Sequence, residues 1–271
     1  MFKDETLKEK IHQANVSVHR QEAQYYELLH PEVFSKQEQK RITAELKMID
    51  KLVTANRKNA LDVGAGTGNL TGKLLQMGYK VTAIDISAEM CAILQKKYVA
   101  YLKNSELAVI NSSIENLTFE AGKFDLITCY SVLHHLSDYI AALRSLSVFL
   151  KKGGVIYIGH EASPFYWKTE PSNLAGLVKG IYFHSYPLFN GVYFQIIGLK
   201  VPTLDYSLSD YWHKKEHSLD HMRIEQVFKD EHYKSFKRTD NYLNATWIPN
   251  PLFYLYRLLC KPEMSFWIAK K

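Results

Sequence analysis

The chain has 271 residues, enough for one α/β core with elaborations or for two small domains. Its formal charge of +6 is mildly basic, but the chain has no dense run of cations, which disfavours a nucleic-acid-binding function. Three widely spaced cysteines, Cys91, Cys129 and Cys260, indicate neither a disulfide framework nor a zinc site, and they predict a cytoplasmic location. No apolar stretch reaches the roughly 18 residues of a membrane span, and the N-terminus has no apolar signal core.

Residues 1–57 are predicted to be helical. The apolar residues of the last helix recur at the spacing of one helix face, at Ile42, Leu46, Ile49 and Val53. Such an amphipathic helix is expected to pack on a sheet. An earlier segment carries Tyr25 and Tyr26, for which we consider two interpretations, ordinary helix packing and a lid over a bound ligand.

A glycine-rich segment follows the first predicted strand. The apolar run 60–63 is succeeded by Gly64, Gly66 and Gly68, and a helical pattern then begins at Leu70. This order predicts a strand, a tight turn and the start of a helix, with backbone N–H groups at the carboxyl edge of a sheet. Because Asp62 adds a carboxylate there, the segment suits a ligand that carries both a carboxylate and an ammonium group.

Two families use glycine loops of this kind. The dinucleotide-binding pattern G-x-G-x-x-G needs a third glycine, but Asn69 or Thr71 stands at that position. The segment instead resembles the D-x-G-x-G-x-G loop of class I S-adenosylmethionine-dependent methyltransferases. That resemblance implies S-adenosylmethionine as the cofactor, bound at Asp62, Gly64, Ala65, Gly66 and Gly68, with the N-terminal helices and Tyr26 as its lid.

The second predicted strand, 81–85, ends in an acid. Asp85 follows Gly68 by 17 residues, and a carboxylate at the end of the neighbouring strand can accept hydrogen bonds from both ribose hydroxyls. The alternative is a helix N-cap, but Ser87 is the better cap for the helix that begins at Ala88. Ile86 and Met90 are expected to flank the adenine ring.

The third predicted strand, 107–110, leads into a segment that departs from the family. Methyltransferases of this kind commonly carry G-D-A-E-x-L-P-F here, with the acid contacting the adenine amino group. Ser113 stands at the position of that acid, so we expect a weaker contact or one made by the backbone of Ile114. Glu115 is expected to point outward and receives no role.

The fourth predicted strand covers 124–130 and is expected to continue through 131–136. It resembles the F-D…L-H-H segment of the small-molecule branch of the family, which implies that Cys129 and Tyr130 lie beside the methionine part of the cofactor. The Asn/Asp-Pro-Pro-aromatic motif of nucleobase amine methyltransferases is absent from the sequence. For His134 and His135 the alternatives are a structural role and contact with the substrate.

A helix at 138–150 and a strand at 155–159 complete a β/α alternation typical of a parallel sheet covered on both faces. The resemblance implies a Rossmann-like class I fold with a mostly parallel seven-stranded sheet. We divide the chain into an N-terminal helical lid at 1–57, a cofactor-binding core at 58–162, an aromatic-rich cap insertion at 163–216 and a C-terminal completion of the sheet at 217–271.

The insertion is rich in aromatic residues, which make up 12 of the 50 residues from 163 to 212. Repeated glycine and proline predict broken, irregular structure rather than a sheet element. Packing of a small subdomain is one interpretation, and a cover for an apolar or flat ligand is the other. Helix 218–228 and strands 233–238 and 264–269 are expected to resume the core.

The sequence therefore predicts methyl transfer from S-adenosylmethionine to a small, apolar or aromatic acceptor. The candidate general bases are His135, His134 and His160, with Glu161 behind them, and no metal is expected. Alternatives are an RNA or protein methyltransferase, a non-catalytic S-adenosylmethionine-binding protein and, against the glycine spacing, a nicotinamide oxidoreductase. The target atom of the acceptor and the oligomeric state stay open at this point.

Overall fold

A computed structural model describes residues 5–55, 58–166, 174–200, 204–213 and 218–271. Within these ranges seven strands form one sheet: β1 Asn59–Val63, β2 Lys80–Asp85, β3 Leu107–Asn111, β4 Phe124–Tyr130, β5 Leu150–Ala162, β6 Ser235–Asn241 and β7 Met264–Lys270. The helices in the same ranges are α1 Glu5–Glu22, α2 Tyr26–Leu29, α3 Pro31–Phe34, α4 Lys36–Asp50, α5 Asn69–Gln76, α6 Ala88–Lys97, α7 Val99–Lys103, α8 Tyr139–Phe149, α9 Leu174–Ile196, α10 His221–Asp230 and α11 Pro251–Leu259.

The strand order across the sheet is β3-β2-β1-β4-β5-β7-β6. β1 to β5 are parallel, whereas β7 runs antiparallel to both β5 and β6. The order reverses between β1 and β4, and in open α/β sheets ligands bind beyond the carboxyl ends of the strands at such a point. The predicted mostly parallel seven-stranded sheet is confirmed.

Both faces of the sheet are covered, which explains the near-continuous apolar runs of its central strands. Every residue of β4 is buried. One face packs on α8 and α10 through residues such as Leu143 and Phe228, and the other packs on α4 and α5 through Leu46 and Leu74. The buried face of α4 carries Ile42, Leu46 and Ile49, as its apolar spacing predicts.

The carboxyl ends of β4 and β5 differ from the prediction. β4 does not continue to residue 136, because Ser131 takes a left-handed backbone (φ 58°) and a short 3-10 turn follows at Leu133–His135. The Ser131 N–H still donates to Gly159 O at 2.8 Å, which holds the turn against β5. β5 extends to Ala162, three residues past its predicted end, so His160 and Glu161 belong to the strand.

The insertion contains one long helix, which the sequence analysis did not predict. α9 runs for 23 residues through Gly180, Pro187 and Gly191. It packs on α11, where the rings of Tyr182 and Tyr256 stack with centroids 4.6 Å apart. Residues 167–173, 201–203 and 214–217 of the predicted insertion lie outside the described residues, and the division into four segments stays a prediction. Among the helices described, none has the length and apolar character needed to cross a membrane.

Candidate active site

The glycine loop after β1 depends on residues without a side chain at two points. Gly64 has a φ of 62°, and a Cβ there would lie 2.3 Å from Val132 Cγ2. Gly66 has a φ of 53°, but a Cβ there would meet only Tyr26 Cε1 at 3.7 Å, so the loop is open on the side that faces Tyr26. The loop therefore presents its backbone to a space between the sheet and the N-terminal helices.

Gly68 lies at the start of α5 and packs against Tyr98, and its predicted contact with the cofactor stays a prediction. It has a φ of 92° and precedes α5, and a Cβ there would lie 2.6 Å from Tyr98 Cε2. The Tyr98 hydroxyl donates to Gly68 O at 3.0 Å. Gly68 lines none of the three cavities described below, so the absence of a side chain serves packing between α5 and Tyr98.

The carboxylate of Asp85 is bound to the glycine loop. Its Oδ2 accepts a hydrogen bond from the Gly66 N–H at 2.7 Å, and its Oδ1 accepts one from the Ser87 N–H at 2.9 Å. Burial raises the pKa of Asp85, although His19 and the backbone N–H groups oppose the shift. Ser87 Oγ in turn accepts from the Met90 N–H at 3.3 Å, so Ser87 caps α6 as predicted.

A cleft of about 810 Å³, partly open to solvent, lies against this loop. Eight of the predicted cofactor-binding residues line it, namely Tyr26, Gly64, Gly66, Asp85, Ile86, Met90, Ser113 and Ile114. Glu115 is exposed, as expected, but it stands at the rim of the cleft and accepts a hydrogen bond from the Ser113 hydroxyl. This carboxylate adds an acid in the segment where Ser113 replaces the family's acid.

A hollow of about 370 Å³ on the other side of the loop is lined by Asp62, Ala65, Asn69 and Tyr130, among others. Asp62 accepts hydrogen bonds from the hydroxyls of Thr71 at 2.6 Å and Thr128 at 2.7 Å, yet burial raises its pKa to about 6. Asn69 Nδ2 is buried without a hydrogen-bond partner among the described residues. A carboxylate and an unpaired amide thus face one small space.

Cys129 and Tyr130 have different surroundings. Cys129 is fully buried in the core below the loop and lines none of the three cavities, so its predicted place beside the cofactor is wrong. It sits too far back along β4, beside Val63 of β1. Tyr130 does line the hollow, and its hydroxyl donates to Glu38 Oε1 of α4 at 2.6 Å.

A third and larger space, a cavity of about 1000 Å³ that is also partly open, adjoins the cleft. Four residues line both spaces: His19, Tyr26, Ser131 and His135. We call it the histidine-lined cavity, because its wall includes His19, His30, His134, His135, His160 and His213. The remaining wall is apolar or aromatic in large part, with Leu29, Pro31, Val33, Tyr166, Tyr206, Leu243, Ala245 and Met264. All three predicted base candidates therefore lie in one cavity.

His134 forms a dyad with a buried carboxylate. Its Nδ1 lies 2.8 Å from Glu161 Oε2, and the other oxygen, Oε1, accepts from the N–H groups of Val132 at 3.0 Å and Leu133 at 2.8 Å. Glu161 is fully buried, which raises its pKa to about 7, while burial lowers the pKa of His134 well below its ordinary value. With Nδ1 held by Glu161, Nε2 is the nitrogen left for the cavity.

The other two candidates are held differently. His135 Nδ1 donates to Ser209 O at 2.9 Å, and burial lowers its pKa. His160 has a left-handed backbone (φ 59°), stacks on Tyr130 with centroids 5.4 Å apart, and has no partner for either ring nitrogen among the described residues. A buried, unpaired imidazole in a strained backbone position is suited to contact a ligand rather than to stabilise the fold.

A charged cluster on the lid side of this cavity was not predicted. Glu22, fully buried at the end of α1, accepts from the Tyr206 hydroxyl at 2.7 Å and contacts His19 Nδ1 at 2.7 Å and His30 Nε2 at 3.2 Å. Burial alone would raise the pKa of Glu22, but the two histidines lower it; the carboxylates of Glu32 and Glu22 raise the pKa of His30 to about 10 despite its burial.

Metal binding was not predicted, but one group of side chains has a suitable spacing. The ligand atoms of His134, His135 and Asp210 lie within 4.8 Å of one another in the described part of the chain. The Nδ1 atoms of both histidines are already hydrogen-bonded, to Glu161 and to Ser209. Such bonds from a ring nitrogen to a carboxylate or a carbonyl also occur at metal-binding histidines, so the expected absence of a metal stays a prediction.

Residues 61–158 match the family model described as "Methyltransferase domain". The ubiquinone biosynthesis O-methyltransferase of Coxiella burnetii is 32% identical over 112 residues, which cover 41% of this chain and 47% of that protein. The same enzyme of Xanthomonas campestris is 33% identical over 99 residues, or 36% of this chain and 41% of that protein. The chain thus spans less than half of the length of these curated relatives.

Solved structures share the fold over most of the chain. Magnesium protoporphyrin IX methyltransferase from Synechocystis, solved with bound S-adenosylhomocysteine, has a TM-score of 0.50 at 17% identity and covers 87% of this chain and 82% of its own. An S-adenosylmethionine-dependent methyltransferase from Mesorhizobium loti has a TM-score of 0.55 at 15% identity, and the match covers 84% of this chain and 98% of that protein. At this identity the likeness establishes the fold alone, and the predicted fold class is confirmed.

Proposed function

Because residues 61–158 form a class I S-adenosylmethionine-dependent methyltransferase domain, we propose that this chain transfers a methyl group from that cofactor to a hydroxyl of a small, flat, largely apolar acceptor. One observation carries the proposal. The cleft on the glycine loop and the histidine-lined cavity share the wall residues Tyr26, Ser131 and His135, so a site for an acceptor adjoins the site for the cofactor.

The residues of the cleft fit the cofactor part by part. Asp85 is placed for the ribose hydroxyls, Ile86 and Met90 offer apolar faces to the adenine, and Glu115 offers an acceptor to the adenine amino group. In the hollow, Asp62 suits the ammonium group and the unpaired Asn69 amide suits the carboxylate. When bound, S-adenosylmethionine supplies an activated methyl group on a sulfonium. The protein is then needed chiefly to orient the acceptor and exclude water.

A hydroxyl acceptor needs a base, and His134 is the best-placed one. Glu161 accepts the Nδ1 proton, fixes the tautomer and leaves Nε2 with a lone pair toward the cavity. His134 Nε2 would take the hydroxyl proton of the acceptor, and Glu161 would stabilise the resulting imidazolium. Glu161 acts as a positioning residue, with its own charge held by two backbone N–H groups. His135 and His160 are then placed to hold the acceptor.

The acceptor class follows from the wall of the cavity. Apolar side chains and the rings of Tyr26, Tyr166 and Tyr206 suit a flat apolar body, while the histidines suit a polar edge of hydroxyl groups. The relatives from Coxiella burnetii and Xanthomonas campestris are O-methyltransferases of ubiquinone biosynthesis, which favours oxygen over nitrogen, carbon or sulfur. We therefore propose a phenol or catechol with an apolar substituent.

An acceptor panel tests this proposal. The protein would be incubated with S-adenosylmethionine and matched phenol, catechol, aniline and thiophenol compounds, and released S-adenosylhomocysteine would be measured. We expect turnover with the phenolic compounds, and we expect His134→Ala to reduce it about 10² to 10⁴ fold. The exposed His232→Asn is the matched control and should leave the rate unchanged. Faster turnover of the amine or thiol, or an unaffected His134→Ala variant, would refute the assigned acceptor atom or base.

Two further expectations stay predictions. The cytoplasmic location is supported by three free thiols, at Cys91, Cys129 and Cys260. A macromolecular acceptor is the rival that the basic charge would allow, and its signature would be activity that falls steeply with salt. A small acceptor predicts a weak dependence on salt.

A further inference from the structure

An exposed apolar surface runs along α9 and α11. The exposed apolar residues of α9 lie on one side of the helix, with an interruption at the turn of His184: Leu174, Leu177, Ile181, Leu188, Val192 and Ile196. On α11 the exposed apolar residues are Tyr254, Leu255 and Leu258. We call these nine side chains the apolar surface. Each is at least 43% exposed, and so many exposed apolar side chains on two packed helices are unusual in a protein that meets only water.

The opposite faces of both helices are already used. Val178 and Tyr182 of α9 pack against Phe253 and Tyr256 of α11, and Asn190 of α9 lines the histidine-lined cavity. Asn190 is also tied to the core, because its Nδ2 donates to Ala245 O at 2.8 Å and its Oδ1 accepts from the Trp247 N–H at 3.2 Å. The apolar surface therefore belongs to a pair of helices whose inner sides are already packed.

The two stretches of sequence that carry the apolar surface contain cations and no acidic residues. The stretches 171–204 and 241–262 contain no aspartate or glutamate. At the average of 28 acidic residues in 271, stretches of this combined length would contain about six. Their exposed cations are Lys200, Arg257 and Lys261, and none of these pairs with a carboxylate in the described ranges. Exposed apolar side chains accompanied by cations and by no acids in the same stretches suit a membrane surface that carries anionic headgroups.

We propose that the apolar surface docks on the face of a lipid bilayer that carries anionic headgroups. The exposed leucine and isoleucine side chains would enter the boundary between headgroups and acyl chains, and Tyr254 would lie at headgroup depth, where tyrosine rings are favoured. Lys200, Arg257 and Lys261 would contact the anionic headgroups. The helix would lie on the bilayer and would not cross it.

The proposal does not depend on methyl transfer, but it agrees with the acceptor class. The same helix that carries the stripe contributes Asn190 to the wall of the cavity, so the lipid-facing side and the acceptor side are two faces of α9. A bilayer-bound enzyme of this design would meet apolar acceptors where they concentrate.

Vesicle flotation tests the docking surface. The full chain would be mixed with vesicles of phosphatidylcholine alone, or of phosphatidylcholine with phosphatidylglycerol, and its bound fraction measured with and without added salt. We expect binding to the anionic vesicles, weakened by salt. Leu188→Glu with Leu258→Glu should reduce it about tenfold or more, as should Arg257→Glu with Lys261→Glu. Met222→Glu is the matched control, because Met222 is 80% exposed on α10, away from both helices.

Each variant would also be titrated with S-adenosylhomocysteine, so that loss of folding is distinguished from loss of docking. Unchanged titration with lost flotation supports the proposal. No flotation of the unaltered chain, or equal loss in Met222→Glu, overturns it. A dimer by light scattering that Leu188→Glu converts to a monomer, without any vesicle binding, also overturns it and assigns the surface to a second copy of the chain.

Discussion

Asp85 has two roles, because its carboxylate binds the Gly66 N–H and the residue also lines the cleft. We predict that Asp85→Asn weakens S-adenosylhomocysteine binding about tenfold or more, since hydrogen bonds to a charged group contribute about 1.5 to 3 kcal/mol each. Titration calorimetry measures the effect. Asp125→Asn is the matched control, because Asp125 is a buried aspartate at the opposite end of β4, bound by the Asn59 N–H and Lys151. Equal affinity of Asp85→Asn and the unaltered protein would exclude the ribose role.

Gly64 is required for two reasons, its left-handed backbone and the proximity of Val132. We predict that Gly64→Ala lowers the free energy of unfolding by more than the about 1 to 2 kcal/mol of backbone strain, and that it weakens cofactor binding. Gly78→Ala separates the two causes, because Gly78 has a φ of 83° and open space where a Cβ would lie. Urea denaturation of both variants gives the comparison. Similar losses in the two would mean that Val132 moves aside freely.

The dyad of Glu161 and His134 predicts a pH dependence. The pKa of Glu161 is raised to about 7 by burial, and His134 is neutral because burial lowers its pKa. The form with an ionised Glu161 and a neutral His134, which can accept a proton, therefore becomes populated as the pH rises through about 7. We expect kcat/KM with a hydroxyl acceptor to increase with pH up to about 7 and to stay constant above it. In Glu161→Gln this rise should disappear together with most of the activity. A rise that persists in that variant would assign it to another group.

At the scale of elements, the buried carboxylate of Glu22 joins α1 to His30 and to Tyr206. Glu22→Gln should lower the free energy of unfolding by about 3 kcal/mol or more, because it removes the charge that its histidine partners face. The lowered pKa of Glu22 gives stability that is present above about pH 4.5 and lost as the pH falls. The raised pKa of His30 gives stability that is full below about pH 6.5 and lost toward pH 10.

The difference between Glu22→Gln and the unaltered protein should therefore be largest between about pH 4.5 and 6.5 and should shrink toward about pH 10. Urea denaturation at several pH values measures it. Glu9→Gln, an exposed position on the same helix, is the control and should have little effect at any pH. A constant difference across this range would show that the histidines around Glu22 are not charged.

The elements differ in how well the sequence predicts them. β1, β2 and the glycine loop follow from local residues, because apolar runs and glycine spacing decide them. α9 does not: Gly180, Pro187 and Gly191 each weaken a helix, by about 1 kcal/mol for glycine and 3 for proline. Burial of Val178 and Tyr182 against α11 offsets that cost, and the sequence alone does not place α11 there. The sequence also does not predict the turn at Ser131, because glycine is the usual signal of a left-handed backbone and a serine stands there instead.

At the scale of the whole molecule, the cofactor side of the site was more predictable than the acceptor side. Asp85 and the glycine loop lie within one consecutive βαβα stretch, so their spacing in the sequence predicts that they meet at one edge of the sheet. The Glu22 cluster joins α1 to Tyr206, 184 residues away, and no local pattern links them. His134 and Glu161 were both proposed from their positions at strand ends, but their pairing depends on the extension of β5 past residue 159.

The account as a whole depends on S-adenosylmethionine occupying the cleft between the glycine loop and the N-terminal helices. Isothermal titration with S-adenosylhomocysteine, run beside NADH, tests this most directly. We predict roughly micromolar binding of S-adenosylhomocysteine and none of NADH, with affinity falling below about pH 6 as Asp62 becomes protonated. Binding of NADH, or of neither compound, would contradict the assignment of the glycine loop and the function proposed from it.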